Sequence, residues 1–123
     1  AVDVAYENAA LNGIGRDHCR FLAGNVIADQ GLVQELAREK AQVVLANIVA
    51  DAICMLAGPM TRHLVNGGLL ICSGIIRERE ADVQKAAKEA GYRQVDRIEN
   101  LKDIKQYITR IDEIIHRKEL KMI

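Results

Sequence analysis

The sequence predicts an α/β fold: a Rossmann-like, mostly parallel sheet of about four strands with helices on both faces. Three observations carry that prediction. Short apolar runs with few charges alternate with amphipathic stretches of helical length. Glycine- and asparagine-containing turns separate them. The spacing from one apolar run to the next suits parallel crossovers rather than hairpins.

Ala1 to Leu11 opens with alternation, but its alanine-rich continuation favours a helix, with Asn12-Gly13 as the stop. Cys19 to Ala23 reads as a short buried strand ended by Gly24-Asn25. Leu32, Val33, Leu36 and Ala37 lie at helical spacing between Gly31 and Ala41. Gln42 to Ala46 is the strongest strand, with two β-branched residues and a leucine and no charge. A helix from about Ala50 to Val65 contains Pro59, which removes a backbone donor and is expected to kink or divide it. Asn66-Gly67-Gly68 turns the chain into a strand over Leu69–Ser73. Arg77 to Ala90 is an amphipathic helix closed by Gly91, and Arg93 to Ile98 is a more polar strand nearer an edge. Leu101, Ile104, Ile108, Ile111 and Ile115 then step by three and four along an amphipathic helix that can continue to Met122. It is expected to lie against the sheet, or else to form a helix pair or an oligomer seam. No internal repeat, low-complexity stretch or linker interrupts the series.

Composition narrows the function classes. The chain has 123 residues, 50% apolar and 28% charged, which suits one globular domain. Seventeen basic and seventeen acidic residues cancel, and aromatics are 3% with no tryptophan. Neither a nucleic-acid nor a membrane partner is expected from that balance. Cys19, Cys54 and Cys72 are odd in number and lack a Cys-x-x-Cys pair, which argues against disulfides and zinc and for a cytoplasmic location. No apolar run reaches membrane-spanning length and no signal peptide is expected.

Few residues carry chemistry on their face. His18, His63 and His116 do not lie at metal-ligand spacing from one another or from a cysteine, and are expected to be partly exposed structural histidines. Ser73-Gly74 lacks the first glycine of a nucleophile elbow. Gly13-x-Gly15 lacks the third glycine of a phosphate cradle. Asn47 stands out because it follows the strongest strand, and ligands of open α/β sheets bind beyond the carboxyl ends of strands. Its amide can donate and accept, which suits an amine or a zwitterion, yet asparagine is equally suited to cap the following helix. The same logic places Gly24-Asn25 and Ser73-Gly74 at two other strand ends.

Several segments together resemble a known family. They are Ala1-Val2-Asp3-Val4-Ala5-Tyr6-Glu7-Asn8-Ala9-Ala10-Leu11-Asn12-Gly13, Ala46-Asn47-Ile48-Val49-Ala50-Asp51, Asn66-Gly67-Gly68-Leu69-Leu70-Ile71 and Ser73-Gly74-Ile75. In order and spacing, residues 1 to about 99 resemble the later part of the bacterial methyltransferase that acts on large-subunit ribosomal protein eleven. Asn-Ile-Val-Ala-Asp followed by Ser-Gly-Ile is the specific part; the double-glycine turn is common to many methyltransferases.

The resemblance implies a doubly wound domain that uses S-adenosylmethionine to methylate amines of a ribosomal protein. By position, Asn47 would contact the methionine part of the cofactor or the incoming amine, and Gly24 and Asn25 would lie near the adenine edge. No catalytic residue and no metal is assigned. The family's glycine-rich loop and ribose-binding acid would lie upstream of Ala1, so Asp3 is not that acid. Each absent contact is expected to cost ~1–3 kcal/mol of cofactor binding. Residues 1–99 are thus expected to form a partial, inactive methyltransferase-like domain, and residues 100–123 an amphipathic helix where the resemblance lapses. The alternative is a non-catalytic folded module that self-associates through that helix or a sheet edge; a flavodoxin-like nucleotide binder ranks last. With the family's other strands absent, the four strands are expected to pair in sequence order, the tail helix covering the open face. The rival is the parent order with its gaps filled by a partner.

Overall fold

The computed structural model describes residues 1–99 and the backbone of residues 120–122. They fall into two compact units, Ala1–Leu36 and Ala37–Ile123.

In the first unit, α1 (Val2–Leu11) stops where expected. The Gly13 and Ile14 amides donate to Ala10 and Ala9 carbonyls, so the last turn's acceptors are satisfied as the chain leaves. Tyr6 on α1 organises the segment beyond the helix. Its ring meets Phe21 edge-on with centroids 4.9 Å apart, the Arg16 guanidinium lies 3.9 Å from the ring centroid, and its hydroxyl accepts the Phe21 amide at 3.1 Å. The expected strand over Cys19–Ala23 is therefore corrected: this stretch is irregular. Its Phe21 donor goes to a side chain rather than to a ladder, and Arg20 turns outward to Glu35 at 2.9 Å. α2 (Gln30–Ala37) begins on Asp29, whose Oδ1 accepts the Leu32 amide at 3.1 Å.

The second unit carries a parallel sheet of order β2-β1-β3, formed by β1 (Ala41–Asn47), β2 (Leu64–Ser73) and β3 (Leu120–Met122). The α/β class and the parallel sheet are as the sequence predicts; the strand count is three among the described residues, not four. Val43 and Val44, neighbours that point to opposite faces, are 1% and 0% exposed, so β1 is covered on both faces. β2 starts earlier than expected, because Asn66-Gly67-Gly68 forms an irregularity inside it rather than a turn before it. While β1 advances from Ala41 to Val43, β2 advances from Leu64 to Leu69, after which the register runs evenly to Asn47 opposite Ser73.

α3 (Ala50–Met60) buries Ala50, Ile53, Leu56, Ala57 and Met60 along one stripe. It ends five residues earlier than expected, with Pro59 in its final turn and a tighter turn over Thr61–His63. That turn buries His63 at 2% exposure, which corrects the expectation of a partly exposed histidine. α4 (Glu80–Glu89) follows a single 3₁₀ turn over Arg77–Arg79 and is closed by Gly91 and Tyr92 amides on Lys88 and Ala87 carbonyls. α3 and α4 pack through Ala50, Ile53 and Val83, with Ile48, Cys54, Cys72 and Ile75 around them.

The expected strand Arg93–Ile98 is also corrected: the segment has no ladder. Arg97 instead pairs with Glu80 and Glu99, Gln94 accepts from Gln84 at 3.2 Å, and Val95 is exposed. The expected helix over Leu101–Ile115 lies outside the described residues, as does the self-association assigned to it. At Leu120–Met122 the chain is a strand beside β1 and not a continuing helix, so pairing in sequence order holds for β1 with β2 and is corrected on the other side of β1. No helix among the described residues is long and apolar enough to cross a membrane.

The packing predicts a contrast within α3. Ile53→Ala, at 3% exposure, is expected to lower unfolding free energy by about 2–5 kcal/mol in urea titration. Met55→Ala, two residues on and 66% exposed, is expected to stay within about 0.5 kcal/mol of the parent.

Candidate functional site

Parallel pairing brings the ends of β1 and β2 together, since Asn47 and Ser73 are register partners. Two short loops leave from there, each running into a helix. Residues 48–49 lead to α3, and residues 74–76 lead through the 3₁₀ turn to α4. The amino-terminal ends of both helices therefore stand at one end of the sheet, where ligands of parallel sheets are met.

Asn47 is exposed at that edge. Its capping role is corrected: the residue that starts α3 is Val49, with φ −63° and ψ 154°, and no side-chain cap is made there. The Asn47 amide sits instead against Gly74, where a Cβ would stand 3.0 Å from its Oδ1 and 3.4 Å from the Ile48 carbonyl oxygen. Gly74 also has φ +80°, which a side chain would strain. Glycine here lets the β2 loop approach the Asn47 side chain closely.

Beside this contact lies a cavity of about 140 Å³ lined by Val49, Ala50, Asp51, Gly74, Ile76 and Arg79. Its walls are mostly apolar, with one ion pair at the rim: Arg79 Nη2 donates to Asp51 Oδ1 at 2.5 Å. The guanidinium holds the Asp51 carboxyl below its ordinary range, first by that hydrogen bond and then by its charge; Asp51 in turn raises Arg79. Asp51 is in the first turn of α3, where a carboxylate also meets the helix dipole favourably. The sequence did not single out Asp51 or Arg79. They are 28 residues apart, and only the topology makes them neighbours.

The other sequence-derived candidates are in the first unit. Asn25 Oδ1 accepts the Ile27 and Ala28 amides at 2.9 and 3.1 Å, holding a turn. At Gly24, with φ +152°, a Cβ would press on the end of the Leu32 side chain, at 2.8 Å from Cδ2. Both thus have local structural work of their own. Cys72, opposite Ala46, has its thiol pushed up by burial, which suits packing rather than nucleophilic attack. Exposed His18 pairs with Asp17 at 3.4 Å. Among the described residues no three His, Cys, Asp or Glu side chains gather as a metal site.

Comparison with known proteins gives a consistent picture. A family model described as ribosomal protein L11 methyltransferase matches residues 1–104. A ribosomal protein L11 methyltransferase of Clostridium botulinum is 38% identical over 92 residues, covering 75% of this chain and 26% of that protein. The protein of that name from Caldanaerobacter subterraneus is 39% identical over 89 residues, 72% of this chain and 26% of its own length. That from Desulforamulus reducens is 35% identical over 100 residues, 81% and 30% respectively. The chain thus spans between about a quarter and a third of the length of the relatives it matches. No solved structure matches it.

The geometry predicts unequal costs at two glycines with positive φ. Gly91→Ala has open space for its Cβ and is expected to cost about 1–2 kcal/mol of stability from backbone strain alone. Gly74→Ala is expected to cost more, because the new methyl also meets Asn47 and Ile48, and to displace the Asn47 amide. Chemical denaturation of the two variants checks the order.

Proposed function

The chain belongs to the ribosomal protein L11 methyltransferase family, and on that premise we propose that it serves S-adenosylmethionine-dependent methylation of a ribosomal protein amine in the cytoplasm. Asn47 is the amide that meets the methionine end of the cofactor or the incoming amine. One observation carries this assignment: the Asn47 side chain ends the central strand exposed, and the helix that follows starts on Val49 instead.

The cofactor, when bound, supplies a methyl group on a sulfonium, ready for in-line attack by a neutral amine. What the chain provides is placement. Asn47 Oδ1 can accept an amine N–H and so aim the lone pair, while Nδ2 can donate to a carboxylate. Val49 and Ile76 give the neighbouring cavity apolar walls against which an aliphatic stem can lie. Asp51, engaged by Arg79, is a weak proton acceptor, so it is not assigned as the base. Asn25 Oδ1 is committed to its turn, so the adenine-edge contact proposed there falls to Asn25 Nδ2 and the Gly24 backbone.

A cavity of about 140 Å³ is smaller than the roughly 300 Å³ at which ligand pockets begin. It can take one end of a ligand. We therefore assign this chain one side of a larger site and expect weak cofactor binding by the chain alone.

Calorimetric titration with S-adenosylmethionine and its demethylated product tests this. The expected dissociation constant is roughly 1 mM or weaker, about −4 kcal/mol, with no methyl transfer by this chain alone. Binding in the micromolar range, or turnover, would overturn the one-sided site. Heat that is unchanged in Asn47→Ala would overturn the role of the amide.

A further inference from the structure

Arg79 does more than close the cavity rim. Its guanidinium forks, with Nη2 donating to Asp51 Oδ1 at 2.5 Å and Nε donating to Asp82 Oδ2 at 2.9 Å. Asp51 and Asp82 are first-turn residues of α3 and α4. One side chain therefore joins the starts of the two helices that follow the two paired strands.

The result is a closed frame. The path from Asn47 to Asp51 is fixed at one end by the register with Ser73 and at the other by Arg79. The path from Ser73 to Arg79 is fixed by the same two links. Within the frame, Ile48 and Ile75 pack beside Ala50 and Ile53, and Gly74 lies against Asn47 Oδ1. Val49 adds no side-chain cap that would hold the start of α3 by itself.

We infer that Arg79 is a positioning residue: by tying Asp51 to Asp82 it sets the separation of the two loops, and so the placement of the Asn47 amide against Gly74. Its importance for methyl transfer rests on the reading of Asn47 as the ligand-facing amide. An ordinary surface ion pair would leave Asn47 untouched when broken. A fork also demands arginine, because a lysine ammonium cannot present two donors in that fixed plane.

Proton–nitrogen correlation spectra of the full chain test the inference through the Asn47 side-chain amide and the Gly74 backbone amide. Arg79→Gln and Asp51→Asn are expected to shift both signals in a common direction, and Arg79→Lys is expected to give a smaller shift of the same sign. Molar salt, which screens exposed pairs, is expected to move the signals of the unaltered chain along that same line. The salt series decides the matter if a variant does not fold. Asn47 signals unmoved by folded Arg79→Gln and Asp51→Asn, or unmoved by salt, overturn the inference. Adding S-adenosylmethionine to the unaltered chain is read separately. Silence of Asn47 there overturns its ligand role, while the variant shifts alone decide what Arg79 does.

Discussion

Parallel pairing of β1 with β2 is the constraint on which the rest of this molecule depends. Parallel strands point their carboxyl ends the same way, so the residues that follow Asn47 and Ser73 must leave the sheet at one edge. Both segments then turn into helices at once, and the two helices pack on each other through Ile53 and Val83. An exposed amide, a glycine-lined loop and the starts of two helices are thereby gathered at one end of the sheet. The chemistry assigned to the edge is modest and positional, and the fold delivers position.

How much of this was legible depends on what holds each element in place. β1 is legible because Gln42–Ala46 carries its own signal, an uncharged β-branched run that suits a strand covered on both faces. α1 and α4 are legible at their ends, where Asn12-Gly13 and Gly91 are local stop signals. Cys19–Ala23 and Arg93–Ile98 are not, because the groups that engage them are distant in the sequence. Tyr6 takes the donor of Phe21, and Glu80 takes the side chain of Arg97, and neither competitor can be seen in a window of five or six residues. The length of α3 depends on Pro59, whose effect the sequence predicts in kind but not in place.

The site divides the same way. Asn47 is marked by its position after a strong strand, and the family resemblance points to it independently. Setting aside its cap reading required the dihedral angles of Val49, which no pattern supplies. Asp51 and Arg79 are common surface residue types, and their significance comes entirely from adjacency created by topology. Gly74 lies between these cases: a glycine after a strand suggests a turn, but its reason here is the side chain it must let pass.

The irregular order of the sheet has a consequence for how the molecule is made. β1 is flanked by β2, which follows it closely, and by β3, which arrives only at Leu120. Of the two ladders of β1, one therefore joins segments near each other in the chain and the other joins segments far apart. Closing the second joins Val43 to Leu120 across a long loop, which is slow to form and rewards the chain late. An apolar strand with an open side is also the surface through which nascent chains stick to one another. Of the two pairings that complete this sheet, the one between β1 and β3 is thus the slower to close, and it leaves an apolar strand open to competing contacts for longer.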